Sequence, residues 1–172
     1  MDVAWSPDGT KLASASRDKT AKVFDLKTGD SLVTFNAHGQ PVFGVGFSPD
    51  GNQVVSSGAD KQIRVWNVSD AAQARAISGF GGDVFRIVTT KEGMIYSSSS
   101  DKTARIHKFA DGGQVFSLGG HSDWVYSVAF NAASKRVAAG SYTGEVRLWN
   151  TDDGKETKMF IAAPGYSPPT AK

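Results

Sequence analysis

The sequence has no cysteine, which excludes disulfides and thiolate-bound metal sites. No apolar stretch approaches the roughly 18 residues that a membrane-spanning helix requires. The opening residues Met1-Asp2-Val3-Ala4-Trp5 lack the basic and apolar regions of a secretory signal. A cytoplasmic setting is therefore slightly favoured, although the absence of cysteine does not fix the compartment. An excess of one charge is missing too: 19 basic and 17 acidic residues, interspersed along the chain, leave a net charge of +2. That balance gives nucleic acid or an anionic membrane no electrostatic hold, so neither is expected as a partner. A phosphate-binding Gly-x-x-x-x-Gly-Lys loop and a dinucleotide Gly-x-Gly-x-x-Gly pattern are both lacking, and no cofactor is implied. No long stretch shows the amphipathic period of a helix. What is present is an abundance of strand formers and of glycine, 19 of 172 residues. The length suffices for one compact domain with its own core. These features predict an all-β protein.

The chain repeats itself. Ser6-Pro7-Asp8-Gly9 returns as Ser48-Pro49-Asp50-Gly51, 42 residues on. Asp18-Lys19-Thr20 returns as Asp60-Lys61-Gln62 and again as Asp101-Lys102-Thr103. Val23-Phe24 becomes Val65-Trp66, Ile106-His107 and Leu148-Trp149. A fixed period of this kind marks a stacked repeat architecture. In the second cycle Val42–Phe47 reads as an apolar strand and Ser48-Pro49-Asp50-Gly51 as a turn, with proline and glycine at the positions such turns favour. Gln53–Ser57 makes the next strand, Gly58-Ala59-Asp60-Lys61 a tight turn and Gln62–Trp66 a third strand. A shorter strand near Arg75–Ser78 follows. Each cycle is thus a four-stranded antiparallel meander. Alone it cannot bury both apolar faces, so it must pack against its neighbours.

These residues resemble the WD-repeat family, and the resemblance covers nearly the whole chain. It is carried by His121-Ser122-Asp123-Trp124-Val125, by the two Ser-Pro-Asp-Gly turns, and by Asp60 six residues before Trp66. The Trp-Asp pair that names the family stands here as Phe24-Asp25, Trp66-Asn67, His107-Lys108 and Trp149-Asn150. The resemblance implies a β-propeller built of four-stranded antiparallel blades. Four blades are expected over 1–163, at about 1–41, 42–83, 84–124 and 125–163, with a flexible proline-rich tail or linker at 164–172.

It also implies a tetrad of Trp, Ser or Thr, His and Asp pinning each blade. The second blade supplies all four as Trp66, Ser56, His38 and Asp60. In that arrangement the indole donates to Ser56, Ser56 to His38 and His38 to Asp60, so that every buried polar atom is satisfied. The other blades are incomplete. The first has Ser14 and Asp18 but Phe24. The third has Ser97 and Asp101 but Phe80 and His107. The fourth has His121 and Trp149 but Ala139 and Thr143. The second blade is expected to be the most rigid and the third the least.

Met1 aligns with Phe43, Phe85 and Tyr126, the residues that open the innermost strand of each repeat. Family members close rings of about seven blades, and four such blades would each have to open from roughly 51° to about 90° to close alone. The expectation is a piece of a longer protein, or two chains completing an eight-blade ring as a homodimer.

Ser56, His38 and Asp60 also have the composition of a hydrolase triad. A nucleophilic serine, however, needs an exposed position, often on a Gly-x-Ser-x-Gly elbow, and an oxyanion hole; no such elbow occurs. No enzyme activity is expected. His38, His107 and His121 sit in different repeats without metal-ligand spacing. Asn67-Val68-Ser69 matches a glycosylation acceptor by a motif short enough to arise by chance. Lys22, Arg64, Arg105 and Arg147 recur in phase, with Lys19, Lys61 and Lys102 in the adjoining turns. They are read as repeat grammar with packed stems and solvated heads, not as a phosphate-binding ring.

The expected binding surface is the rim where the innermost strands begin beside the turns between second and third strands. Phe43, Phe85, Trp124, Tyr126, Tyr142 and Arg17 fall there, and aromatics and arginine dominate binding hot spots. Phe43 and Phe85 are equally readable as core plugging the channel. The function expected is a non-enzymatic scaffold for a protein or peptide partner. The alternatives are an accessory segment of a larger enzyme or envelope protein, and a self-assembling half-propeller.

Overall fold

Residues 2–36 and 38–162 are described by a computed structural model of the chain. The tail expected at 164–172 and the strand-opening position of Met1 lie outside the described residues. Among the described residues sixteen strands form four antiparallel sheets, each a simple meander. The first sheet runs β1 (Val3–Trp5), β2 (Lys11–Ala15), β3 (Ala21–Asp25) and β4 (Ser31–Phe35). The second runs β5 (Val42–Phe47), β6 (Gln53–Gly58), β7 (Ile63–Asn67) and β8 (Gln73–Ile77). The third holds β9 (Val84–Thr89), β10 (Met94–Ser99), β11 (Ala104–Lys108) and β12 (Gln114–Leu118). The fourth holds β13 (Val125–Asn131), β14 (Arg136–Ser141), β15 (Glu145–Asn150) and β16 (Glu156–Ile161). There is no helix among the described residues. The protein is an all-β propeller of four blades.

Local chemistry makes the turns. In the first two blades the serine that opens the Ser-Pro-Asp-Gly turn donates its hydroxyl to the aspartate, Ser6 to Asp8 at 2.6 Å and Ser48 to Asp50 at 2.5 Å. The same hydroxyl accepts the N–H of Lys11 or Gln53 at 2.9 Å. The turn between second and third strands places Lys19, Lys61 and Lys102 at φ of 72°, 61° and 69°. The fourth blade has Gly144 there at 80°.

The core lies between the sheets. One cluster joins Ala13, Ala21, Val23 and Phe35 of the first blade to Val42, Val45, Phe47, Val54 and Trp66 of the second. The next sets Val55, Ile63, Val65 and Ile77 against Val84, Ile87 and Ile95. The last sets Ala104, Ile106 and Leu118 against Val125, Val128, Val137 and Trp149. Each blade is therefore stabilised by apolar area that only a neighbour can cover. Among the described residues, nothing covers the two outer sheets in the same way. Val45 and Phe47 are 2% and 3% exposed, whereas their counterparts Val3 and Trp5 in the first blade are 62% and 65% exposed. On the last blade Phe160 and Ile161 are 44% and 46% exposed.

Backbone hydrogen bonds define two rims. On one, the inter-blade loops meet the turns after the second strands: Ala59 N–H donates to Pro41, Ser100 to Asp83 and Tyr142 to Trp124, each at 2.9 Å. On the other, Leu26 donates to Thr10, Val68 to Asn52, Phe109 to Gly93 and Thr151 to Lys135 at 2.8–3.0 Å.

Candidate functional site

The rim of inter-blade loops is organised by a repeated irregularity. Val42 pairs with Gly58 and Gly44 with Ser57, so Phe43 is an extra residue without a partner across the ladder. The same step skips Phe85 in β9 and Tyr126 in β13. A bulge re-aims its extra side chain away from the regular pleat. Here the three bulged residues are all aromatic and fall in line. Phe43 and Phe85 have ring centroids 5.8 Å apart, and Phe85 and Tyr126 4.8 Å apart. Trp124, from the loop before β13, lies 6.2 Å from both Phe85 and Tyr126. Tyr142, from the turn after β14, lies 6.2 Å from Tyr126.

The structure thus brings five of the six expected rim residues into one run of rings. Trp124, Tyr126 and Tyr142 are 48%, 41% and 50% exposed. Phe43 and Phe85 are half-buried, neither sealed core nor free surface. Arg17 is exposed on the first blade's turn, outside the contacts of this run. At the end of the run Asp123, Trp124, Tyr126 and Tyr142 line a pocket of about 310 Å³. Asp123 is held by its own loop, its Oδ1 accepting the Trp124 N–H at 2.7 Å. The opposite rim carries a larger hollow of about 510 Å³, between the Ser48-Pro49-Asp50 turn and Met94, Lys108 and Phe109.

The three in-phase arginines are tied down. Arg64 pairs with Asp60 at 3.2 Å, Arg105 with Asp101 at 2.7 Å and Arg147 with Glu156 at 2.7 Å. Their side chains are only 13–16% exposed. The expectation of solvated heads is corrected for these three arginines: an acid of its own blade pairs with each guanidinium.

Of the second blade's four polar residues, three are linked. Ser56 Oγ lies 2.7 Å from His38 Nε2, and His38 Nδ1 lies 3.0 Å from Asp60 Oδ2. Burial alone would push the Asp60 carboxyl up, but the hydrogen bonds and charges of His38 and Arg64 outweigh it and hold it below the ordinary carboxylate range. Trp66 departs from expectation. Its buried indole N–H has no acceptor among the described residues. The ring instead stacks flat on Phe35, 4.8 Å away and 2° from parallel, while the Ser56 hydroxyl engages His38. The Ser56–His38–Asp60 distances match those of a hydrolase triad, but Ser56 is 0% exposed and His38 3%. A nucleophile needs a path for its substrate, and this one has none.

The incomplete blades have their own solutions. In the third, Arg105 stands 4.4 Å over the Phe80 ring and pairs with Asp101, which joins the aromatic to the acid that a histidine joins in the second. Asp101 also accepts from Gly81 N–H at 3.0 Å and from the Thr103 hydroxyl at 2.6 Å. Burial opposes its ionisation, yet these bonds and Arg105 hold its carboxyl below the ordinary range. In the fourth, where Thr143 replaces the aspartate, Glu145 supplies the carboxylate, 3.4 Å from His121 Nδ1. Its hydrogen bonds are with Ser122, whose N–H and hydroxyl it accepts, both at 3.1 Å. Sequence reasoning passed over Glu145 because it lies two residues beyond the repeat's acidic position.

The family described as WD domain, G-beta repeat matches residues 1–25, 29–67 and 112–150, more than half of the chain. The unmatched stretch contains Phe80 and His107, where the third blade departs furthest from the repeat. The chain is similar to the nuclear distribution protein nudF of Aspergillus niger, 27% identical over 98% of this chain and 41% of the relative. It is also similar to apoptotic protease-activating factor 1 of Rattus norvegicus, 30% identical over 94% of this chain and 13% of the relative. A third similarity is to the transcriptional corepressor LEUNIG_HOMOLOG of Arabidopsis thaliana, 30% identical over 89% of this chain and 19% of the relative. The chain spans less than half the length of each.

Proposed function

Since the chain belongs to the WD-repeat family, whose members generally bind protein partners, we propose that it is a non-enzymatic scaffold holding a protein or peptide on the rim of inter-blade loops. One observation carries this reading: five aromatic side chains, Phe43, Phe85, Trp124, Tyr126 and Tyr142, touch in sequence on one rim, and three of them are 41–50% exposed. A monomer gains nothing by leaving connected rings in water, whereas a partner that covers them gains their burial. Arg17, exposed on the same rim, extends the surface toward the first blade. The linked His38, Ser56 and Asp60, with Trp66 behind them, serve in this reading as the internal brace of the second blade.

The test uses Trp124→Ala and Tyr142→Ala together, with the purified chain as bait. Proteins retained by the wild type should be lost from the double variant while its melting temperature is unchanged. Retention of the same set by both would sink the rim as the site.

The uncovered end faces favour a second, compatible reading. Further blades of the same polypeptide, or a second copy closing an eight-blade ring, cover Val3, Trp5 and Phe160. Solution mass separates these: the isolated chain sediments as a dimer if a second copy does so.

A further inference from the structure

From the shape and chemistry of the pocket at the end of the ring run, we propose that it receives the methylated ammonium head of a lysine on the partner protein. The inference rests on the rim being the binding surface and adds what that surface recognises. Four residues line the pocket, Asp123, Trp124, Tyr126 and Tyr142, around about 310 Å³. Three are aromatic and one is a carboxylate. Ring faces carry negative potential, and they attract a cation most when it is weakly hydrated. Methyl groups on a lysine nitrogen strip its hydration and offer carbon surface to the rings.

Geometry selects among cations. Trp124 is inclined 73° to Tyr126, and Tyr126 is inclined 59° to Tyr142. Walls set at steep angles enclose a rounded head group; a flat guanidinium prefers parallel faces and a free carboxylate fork. Asp123 Oδ1 accepts the Trp124 N–H at 2.7 Å, which ties the carboxylate to its own loop. The carboxylate adds a negative charge at the pocket wall beside the rings. An unmodified ammonium is strongly hydrated and needs donors satisfied on three sides, which the three rings cannot provide.

The measurement is an NMR titration of tetramethylammonium chloride into the full chain, with ammonium chloride at equal ionic strength as the control. Ring currents should displace the probe's methyl proton resonance upfield in a saturable way. Trp124→Ala or Tyr142→Ala should remove the displacement at an unchanged melting temperature, and Asp123→Asn should weaken binding several-fold. A short Gly/Ser-flanked peptide carrying trimethyl-lysine should then compete with the probe about tenfold better than its unmodified or arginine counterparts. Absence of a saturable displacement, its survival in Trp124→Ala, or equal competition by the three peptides overturns the proposal. If partner capture is lost in the Trp124→Ala, Tyr142→Ala variant while the probe fails to bind, the rim stands and only the methyl-ammonium assignment falls.

Discussion

The position that Trp66 and Trp149 fill in their own blades is occupied in the third blade by His107, which is 2% exposed. Burial, reinforced by the Arg105 charge, pushes its pKa down from 6.5 to about 4. Between those limits the unfolded chain binds a proton that the folded chain refuses, so stability falls as pH drops through that window and is fully present above it. His121, also held below its ordinary value by burial first and Arg147 second, adds in the same direction. Urea unfolding should show the free energy at pH 5 lower than at pH 7 by on the order of 2 kcal/mol from His107 alone. His107→Phe should flatten most of that slope. A different sensitivity belongs to Asp60, which serves both His38 and Arg64. Asp60→Asn should cost about 2–4 kcal/mol by thermal or chemical denaturation, because it leaves the largely covered Arg64 guanidinium without its acid. His38, Ser56 and Asp60 were legible in the sequence through the resemblance to WD repeats, which implies such a set in each blade. Glu145 was not, because a carboxylate displaced by two residues breaks the phase of the repeat while the flexible side chain restores the contact in space. Nor was the stacking of Trp66 on Phe35, which depends on how close two blades lie.

Strand by strand, the turns were easier to foresee than the ladders. Ser-Pro-Asp-Gly and Asp-Lys-Thr state their conformations in residue types, and Thr20 and Thr103 bond back to Asp18 and Asp101 as such turns require. The bulges were hidden: Val42-Phe43-Gly44-Val45 reads as an unbroken strand, and only the pairing of Val42 and Gly44 with successive residues reveals the one between. Two consequences follow at this scale. Lys102 occupies left-handed backbone at φ 69° where the fourth blade uses glycine, so Lys102→Gly should raise stability by up to about 1 kcal/mol. Gly44 lies at a close approach of two blades. A Cβ there would sit 2.8 Å from Ser57 Oγ and 3.0 Å from the Ile87 backbone nitrogen. Gly44→Ala should therefore destabilise by about 1–3 kcal/mol through the second and third blades together, seen as a lowered melting midpoint.

As a whole molecule the chain is a stack whose interior consists of three interfaces, and its two outer faces retain the chemistry of an interface. The period of the sequence was enough to foresee this, because every unit carries apolar residues on both sides of its sheet. Which rings would touch across the rim was beyond it, since Phe43, Phe85 and Tyr126 are about 42 residues apart and meet only through blade spacing. Light scattering on the isolated chain should detect self-association that declines when Trp5→Ser and Phe160→Ser are combined, and an unchanged particle size would argue against end-face contact. The bulges, finally, bear on how such a protein can change over generations. Positions 43, 85 and 126 belong to no ladder pair, so a substitution at any of them leaves the strand register untouched. Shape is inherited through the paired positions, while the partner preference of the proposed rim is free to drift through the odd ones.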